Sequence, residues 1–112
     1  MRPGDIYWVE IPVVDGHEQA GLRPAIILQS ARLTSKLTTI QIVPLTSRLK
    51  ARKFPATLVI DPDSSNHLSA QSVALVFQLR AIDRRRLGTK LGILKAEQLA
   101  QIKKLARELL EL

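Results

Sequence analysis

The clearest pattern in this 112-residue chain is the stretch LTTIQIVPLT, from Leu37 to Thr46. Apolar and polar residues alternate along it, so that Ile40, Ile42 and Pro44 fall on one face of an extended strand and the intervening residues on the other. The stretch therefore predicts a β-strand. The segments on both sides of it determine the fold class.

Four further strands are predicted, because β-branched, aliphatic and aromatic residues cluster between turn residues. Their expected ranges are 6–11, 23–29, 56–60 and 72–78, with 80–83 extending the last strand beyond a bend. No crossover helix is available between these strands, which excludes a continuous parallel sheet. The segments 30–36 and 48–54 are expected to be a short connection and a basic loop.

The C-terminal segment changes to a helical period from Ala96 onward. Apolar residues recur there at steps of three or four: Leu99, Ile102, Leu105 or Ala106, and Leu109. This spacing is typical of an amphipathic helix. We expect one domain over residues 1–112, mainly β with a C-terminal helix covering one face of a strongly curved antiparallel sheet or partly open barrel.

The composition favours an anionic partner. Seventeen Lys and Arg residues against ten Asp and Glu residues give a net charge of +7, and nucleic acid is the commonest polyanion in a cell. A merely soluble basic protein is the alternative, and a membrane surface is less favoured because no helix combines a lysine-rich face with bulky aromatic residues. The absence of cysteine excludes disulfides and thiolate metal sites, and no signal peptide or membrane span is recognisable, so we expect a cytoplasmic protein.

Two residues at predicted strand ends suggest a site for a phosphate group. Arg23 begins the second strand and Thr46 ends the third. A guanidinium binds phosphate oxygens bidentately, and a threonine hydroxyl adds a hydrogen bond without adding charge. Structural alternatives exist for both: Arg23 can pair with Glu10 or Glu18, and Thr46 can simply end a strand.

Polar residues around this pair extend the candidate site. His17 and Glu18 lie in the long loop before Arg23, where either could accept a proton. Alternatively, Glu18 could orient the Arg23 guanidinium, and His17 could be a solvated loop residue. Four cations follow Thr46 with no acid between them, namely Arg48, Lys50, Arg52 and Lys53, and they suggest a track for a phosphate backbone unless they are a solvated surface. Phe54 could stack on a base. The other aromatic residues (Tyr7, Trp8 and Phe77) are expected in the core, and His67 is expected to be a solvated residue of a polar turn.

The motifs together resemble the MazF/PemK toxin family of sequence-specific endoribonucleases, nearly end to end. The matching segments are Arg2-Pro3-Gly4-Asp5-Ile6-Tyr7-Trp8, Gly16-His17-Glu18-Gln19-Ala20-Gly21 with Arg23-Pro24, Pro44-Leu45-Thr46-Ser47, Gln78-Leu79-Arg80-Ala81-Ile82-Asp83, and the closing helix. One departure is that many relatives carry an acidic residue where this chain has Phe77. No role of that acid is carried over.

The resemblance implies a small SH3-like β-barrel of the MazF/PemK/CcdB type, a homodimer, and neutralisation by a cognate antitoxin peptide, which we expect to be acidic. It implies cleavage of single-stranded RNA, mRNA in particular, without metal or other cofactor. Arg23 and Thr46 are the implied catalytic residues. The implied RNA-binding residues are His17, Glu18, Gln19, Ser47, Arg48, Lys50 and Gln78.

The simplest cleavage without metal or thiol is attack by the ribose 2′-hydroxyl on the adjacent phosphorus, which gives a 2′,3′-cyclic phosphate and a 5′-hydroxyl. Arg23 and Thr46 would stabilise the charge that gathers on the phosphoryl oxygens. His17 and Glu18 remain alternatives for the base. Two other functions stay open: a non-catalytic, protein-binding toxin of the same fold, similar to the CcdB gyrase poisons, and a barrel that binds RNA without cutting it.

Overall fold

A seven-stranded antiparallel sheet and a C-terminal helix form the computed structural model, which describes residues 1–11 and 21–112. The strands are β1 (Asp5–Ile11), β2 (Gly21–Ile27), β3 (Thr39–Thr46), β4 (Thr57–Ile60), β5 (Ser72–Leu75), β6 (Arg80–Asp83) and β7 (Leu87–Ile93). The helices are α1 (Ala31–Thr34) and α2 (Ala96–Leu110), and 3-10 turns lie at Leu49–Lys53, Val76–Gln78 and Arg84–Arg86.

Strand β3 is the centre of the sheet. The strand order is β4-β5-β3-β2-β1-β7, and β6 also pairs with β3. On one side β3 pairs with β2, from Ile27↔Ile42 to Ala25↔Pro44. On its other side it pairs first with β6 and then, through Leu45 and Thr46, with β5. The end of β3 thus stays paired with β5 after its pairing with β2 has ended.

Two apolar clusters form the core of the described part of the chain. The larger contains Ile26, Val43 and Ile60 and is covered by α2, whose Ile102 is fully buried. The smaller includes Ile42, with Ile27 and other residues of β1, β2, β3 and β6. Because one cluster lies on each face of β3, residues 42–46 are all buried. Exposed and buried residues alternate only at the start of this strand. Burial on both faces leaves little freedom to the strand end that carries Thr46.

The sequence prediction of fold class is confirmed, since the described residues are mostly antiparallel sheet with a C-terminal helix. The number of strands was wrong. Residues 87–93 form β7, although the two glycines in LGTKLGI give this segment little β propensity. The fifth strand was also predicted too long, because Val76–Gln78 turns as a 3-10 helix and leaves β6 as a separate strand. No helix in the described ranges is long and apolar enough to cross a membrane.

Candidate RNA-cleavage site

Arg23 and Thr46 occupy corresponding positions on neighbouring strands. The last pair formed by β2 and β3 is Ala25↔Pro44, and continuing this register by two residues sets Arg23 opposite Thr46. Arg23 remains paired with Val9 of β1, and Thr46 with Val73 of β5. Strand β1 therefore holds Arg23, and strand β5 holds Thr46, at the point where β2 and β3 separate from each other.

Two cavities meet at this pair, and both residues line both of them. The first, which we call the histidine cavity, has a volume of about 320 Å³ and is also lined by Trp8, Ser47, His67, Ser69 and Ser72. The second, which we call the basic cavity, has a volume of about 900 Å³ and is also lined by Arg48, Lys50, Lys53, Phe54, Phe77 and Gln78. An extended ligand passing from one cavity to the other would cross Arg23 and Thr46.

The Thr46 hydroxyl is oriented by the backbone that follows it. The side chain is buried, with 6% of its surface exposed, and Oγ1 accepts a hydrogen bond from the Arg48 N–H at 3.2 Å. Since this contact uses a lone pair of the oxygen, the hydroxyl proton is left for another acceptor. A ligand oxygen lying between the two cavities would be such an acceptor.

The Arg23 guanidinium is half-buried and lies close to another cation. Burial, and secondarily the positive charge of Arg48, lower the pKa of Arg23. Glu10, one of the two carboxylates considered as its partner, instead pairs with Arg86 at 3.6 Å. No carboxylate within residues 1–11 and 21–112 forms an ion pair with Arg23. Two cations facing one cavity are an arrangement that an anionic ligand stabilises.

The predicted basic loop forms one wall of the basic cavity. Its residues 49–53 turn as a 3-10 helix rather than an irregular loop. Arg48, Lys50 and Lys53 line the cavity, whereas Arg52 does not. An aromatic pair completes this wall: Phe54 is 57% exposed, and its ring centroid lies 5.4 Å from that of Phe77. Phe77 therefore belongs to the cavity wall and not to the closed core that the sequence predicted.

The structure brings together the predicted site residues that it describes. Ser47 lines the histidine cavity, and Arg48, Lys50 and Gln78 line the basic cavity. The predictions for His17, Glu18 and Gln19 lie outside the described residues. Within the ranges described, no three His, Cys, Asp or Glu side chains are grouped as metal ligands would be.

Sequence reasoning did not assign Trp8 and His67 to the site, although His67 is exposed, as predicted. Trp8 is half-buried in the wall of the histidine cavity, where it lies beside Pro24 of β2. The His67 ring is held by a 2.8 Å hydrogen bond between its Nδ1 and the Leu91 carbonyl oxygen. Because this contact joins the β4–β5 connection to β7, a strand that the sequence did not predict, nothing local in the sequence could have indicated it.

The connection that carries His67 is ordered by one buried amide. Asn66 is fully buried; its Oδ1 accepts from the N–H groups of Asp63 and Leu68, at 3.0 and 2.9 Å, and its Nδ2 donates to the Asp61 carbonyl at 2.9 Å. The Asp63 carboxylate in turn accepts a hydrogen bond from the Asn66 N–H. This hydrogen bond is the main reason why the pKa of Asp63 is lowered. Because its buried polar groups are already hydrogen-bonded within the chain, this segment is preorganised before any ligand arrives.

Comparison with known proteins gives a consistent assignment. The family model described as "PemK-like, MazF-like toxin of type II toxin-antitoxin system" matches residues 2–110. The chain is 32% identical to the endoribonuclease MazF of Staphylococcus saprophyticus over 102 residues, which cover 91% of this chain and 84% of that protein.

Solved structures agree with this result. The crystal structure of MazF from Deinococcus radiodurans superposes with a TM-score of 0.82 at 30% identity, covering 100% of this chain and 97% of that one. A MazE–MazF crystal structure from the same organism gives a TM-score of 0.76 at 28% identity, covering 100% and 96%. The chain therefore belongs to the PemK-like, MazF-like family of toxins of type II toxin–antitoxin systems, as its motifs predicted.

Proposed function

We propose that this toxin is an endoribonuclease that cleaves single-stranded RNA without a metal ion, with Arg23 and Thr46 as its catalytic residues. The observation that carries the proposal is the position of these two residues at the junction of the two cavities. The curated Staphylococcus relative, named an endoribonuclease, supports the reaction class. The cations of the basic cavity support a nucleic-acid substrate.

In the proposed reaction the 2′-oxygen of one nucleotide attacks the adjacent phosphorus. The new P–O2′ bond forms as the P–O5′ bond breaks, which leaves a 2′,3′-cyclic phosphate on one fragment and a 5′-hydroxyl on the other. Charge accumulates on the non-bridging oxygens in the transition state. Arg23 would contact these oxygens with its guanidinium, and Thr46 with the hydroxyl proton that its bond to the Arg48 N–H leaves available.

Two protons must move during this reaction, one from the 2′-hydroxyl and one to the departing 5′-oxygen. His17 and Glu18 are the proposed candidates for the base. Arg23 is a poor candidate even though burial lowers its pKa, because an arginine guanidinium stays protonated in proteins. Its role in the proposal is electrostatic.

The basic cavity is proposed to bind the phosphate backbone on one side of the cleavage point. If about three phosphates are contacted, log affinity should fall against log salt with a slope near −2, because a single strand contributes about −0.7 for each phosphate. Lys50→Ala should reduce the slope by about 0.7, whereas Lys104→Ala, on an exposed position of α2, should not change it. A slope near zero for the wild-type protein would exclude the basic cavity as the RNA-binding surface.

Two partners belong to the same proposal. We infer a homodimer and an acidic antitoxin segment that folds on binding, acting in the cytoplasm. The +7 net charge and the existence of a MazE–MazF complex for the Deinococcus relative support an antitoxin. Measuring the mass in solution, with and without an acidic antitoxin segment added, tests both.

The function is tested by incubating the purified toxin with a long single-stranded RNA in EDTA and mapping the new ends. We expect short-motif cleavage with 5′-hydroxyl ends, and loss of cleavage by at least about a hundredfold in Arg23→Ala. Arg85→Ala is the matched control, because Arg85 is 88% exposed and its partner is Asp83. RNA retention without new ends would favour a non-cleaving RNA-binding barrel, and neither retention nor cleavage would favour a protein-binding toxin.

A further inference from the structure

The histidine cavity has the features of a subsite for a single nucleotide. Its volume of about 320 Å³ lies at the lower end of the range for small-molecule sites. Trp8 supplies an aromatic surface on which a base could stack, and the exposed Ser47 and Ser69 supply hydroxyl groups. Arg23 and Thr46 also line this cavity, so a nucleotide bound there would adjoin the phosphate at these residues.

His67 has one defined tautomer in this cavity. A carbonyl oxygen can only accept a hydrogen bond, so the contact with Leu91 requires Nδ1 to carry the proton. In the neutral ring Nε2 is then an acceptor. Within the described ranges of the chain, Nε2 forms no hydrogen bond.

The backbone at His67 favours a specific role over a chance one. Its φ of 55° lies in the left-handed region, which non-glycine residues seldom adopt. The buried Asn66 fixes the residues on both sides, and the His67 N–H donates to the Asp63 carbonyl at 3.2 Å. The ring is thus presented to the cavity from a rigid, mildly strained position, which is how ligand-contacting residues are often held.

We propose that the histidine cavity binds one of the two nucleotides flanking the scissile phosphate, and that His67 determines which base is accepted there. The Nε2 acceptor selects a base that presents an amino group, adenine or cytosine, over one that presents a carbonyl at the same position. This inference rests on the proposed nuclease function, because it assigns one position of the cleaved motif.

The test maps cleavage sites on a long RNA for the wild-type toxin and for His67→Gly. Glycine adopts the same φ without strain, so the variant should fold, and a thermal melt verifies this. We expect the wild type to favour adenine or cytosine at one flanking position by about tenfold, the value of one hydrogen bond. In His67→Gly this preference should fall below about threefold, while the other motif positions stay unchanged.

A substrate-side change checks the same contact. Replacing the amino group of that base by a carbonyl, as in inosine for adenosine, should slow the wild type about tenfold and leave His67→Gly nearly unaffected. Glu111→Gly is the matched control, because Glu111 has the same φ of 55° but ends α2, away from both cavities. It should keep the wild-type motif and rate.

The outcomes separate the two proposals. If the wild type cuts RNA and His67→Gly retains the same preference at both flanking positions, or if the wild type favours a carbonyl-bearing base at both, the role of His67 is refuted while the nuclease stands. If the wild-type toxin shows no Arg23-dependent cleavage at all, the proposed function fails, and the subsite with it.

Discussion

Replacing Thr46 with valine removes one oxygen from the candidate site and leaves its shape almost unchanged. The side chain is buried, so the isosteric valine should occupy the same space between β2 and β5. Two interactions are lost: the acceptor for the Arg48 N–H and the donor proposed for the phosphoryl oxygen. The first affects folding and the second affects catalysis, so their magnitudes can be separated.

The effect on stability should be small. Arg48 is exposed, so water can replace the Thr46 oxygen as acceptor for its N–H, and the net value of such a hydrogen bond is about 1 kcal/mol. Thr46→Ser is the matched variant, since it keeps the hydroxyl and loses a buried methyl group, which also costs about 1 kcal/mol. Both variants should therefore melt at similar temperatures, slightly below the wild type.

The effect on catalysis should differ sharply between the two variants. Loss of one donor to a transition-state oxyanion typically lowers kcat by about 10²–10³, or roughly 3–4 kcal/mol. We expect that loss for Thr46→Val, and a rate within about tenfold of wild type for Thr46→Ser. Single-turnover cleavage of a labelled RNA measures the rate, and binding of an RNA with a 2′-deoxy nucleotide at the cleavage point measures affinity without turnover.

One result would refute the reasoning: a folded Thr46→Val protein that cuts within about threefold of the wild-type rate. The hydroxyl would then have only its structural role, as the acceptor of the Arg48 N–H. Equal losses in both variants would point instead to packing at the end of β3, because only the methyl group distinguishes serine from threonine.

Two further perturbations test how the fold supports the site. Gly92→Ala should destabilise the protein by more than about 2 kcal/mol and disturb the histidine cavity, because a Cβ at Gly92 would collide with the Ser65 carbonyl oxygen and lie 2.5 Å from that of Asn66. Urea unfolding measures the loss, and Gly88→Ala, where the nearest atom is 3.2 Å away, should cost less. Contact with Arg85 lowers the pKa of Asp83 from 3.8 to about 2, so Asp83 should stabilise the folded state above pH 4 and lose that contribution as the pH falls toward 2. A difference in the free energy of unfolding between wild type and Asp83→Asn that does not shrink between pH 4 and 2 would contradict this.

Local patterns were sufficient for much of the fold. Alternation and β-branched residues indicate β1, β2, β3 and β4 to within about two residues, and the helical period indicates α2. Strand β7 has no such pattern. Gly92 is required there by the close approach of the Asn66 backbone, a tertiary demand that a local window cannot contain.

The same distinction applies to the site. Arg23 and Thr46 could be proposed as a pair because each stands at the end of a predicted strand, and the β2–β3 register sets them opposite each other. His67 could not be proposed, since its position depends on how the β4–β5 connection packs against β7. Residues placed by strand pairing are accessible to sequence reasoning, whereas residues placed by the packing of a connection against a distant strand are not.

The aromatic pair in the basic cavity suggests how this toxin differs from relatives with an acidic residue at the position of Phe77. The described residues that line the cavity include the cations Arg23, Arg48, Lys50 and Lys53 and no carboxylate. Phe77 is fixed by a 3.2 Å hydrogen bond from its N–H to the Ala56 carbonyl, and its ring supports the exposed ring of Phe54. If RNA binds here as proposed, a cavity without a carboxylate would attract the phosphate backbone more strongly and would offer a stacking surface in place of a hydrogen-bond acceptor. Because stacking tolerates every base, sequence selection by the proposed nuclease would then come mainly from elsewhere in the site.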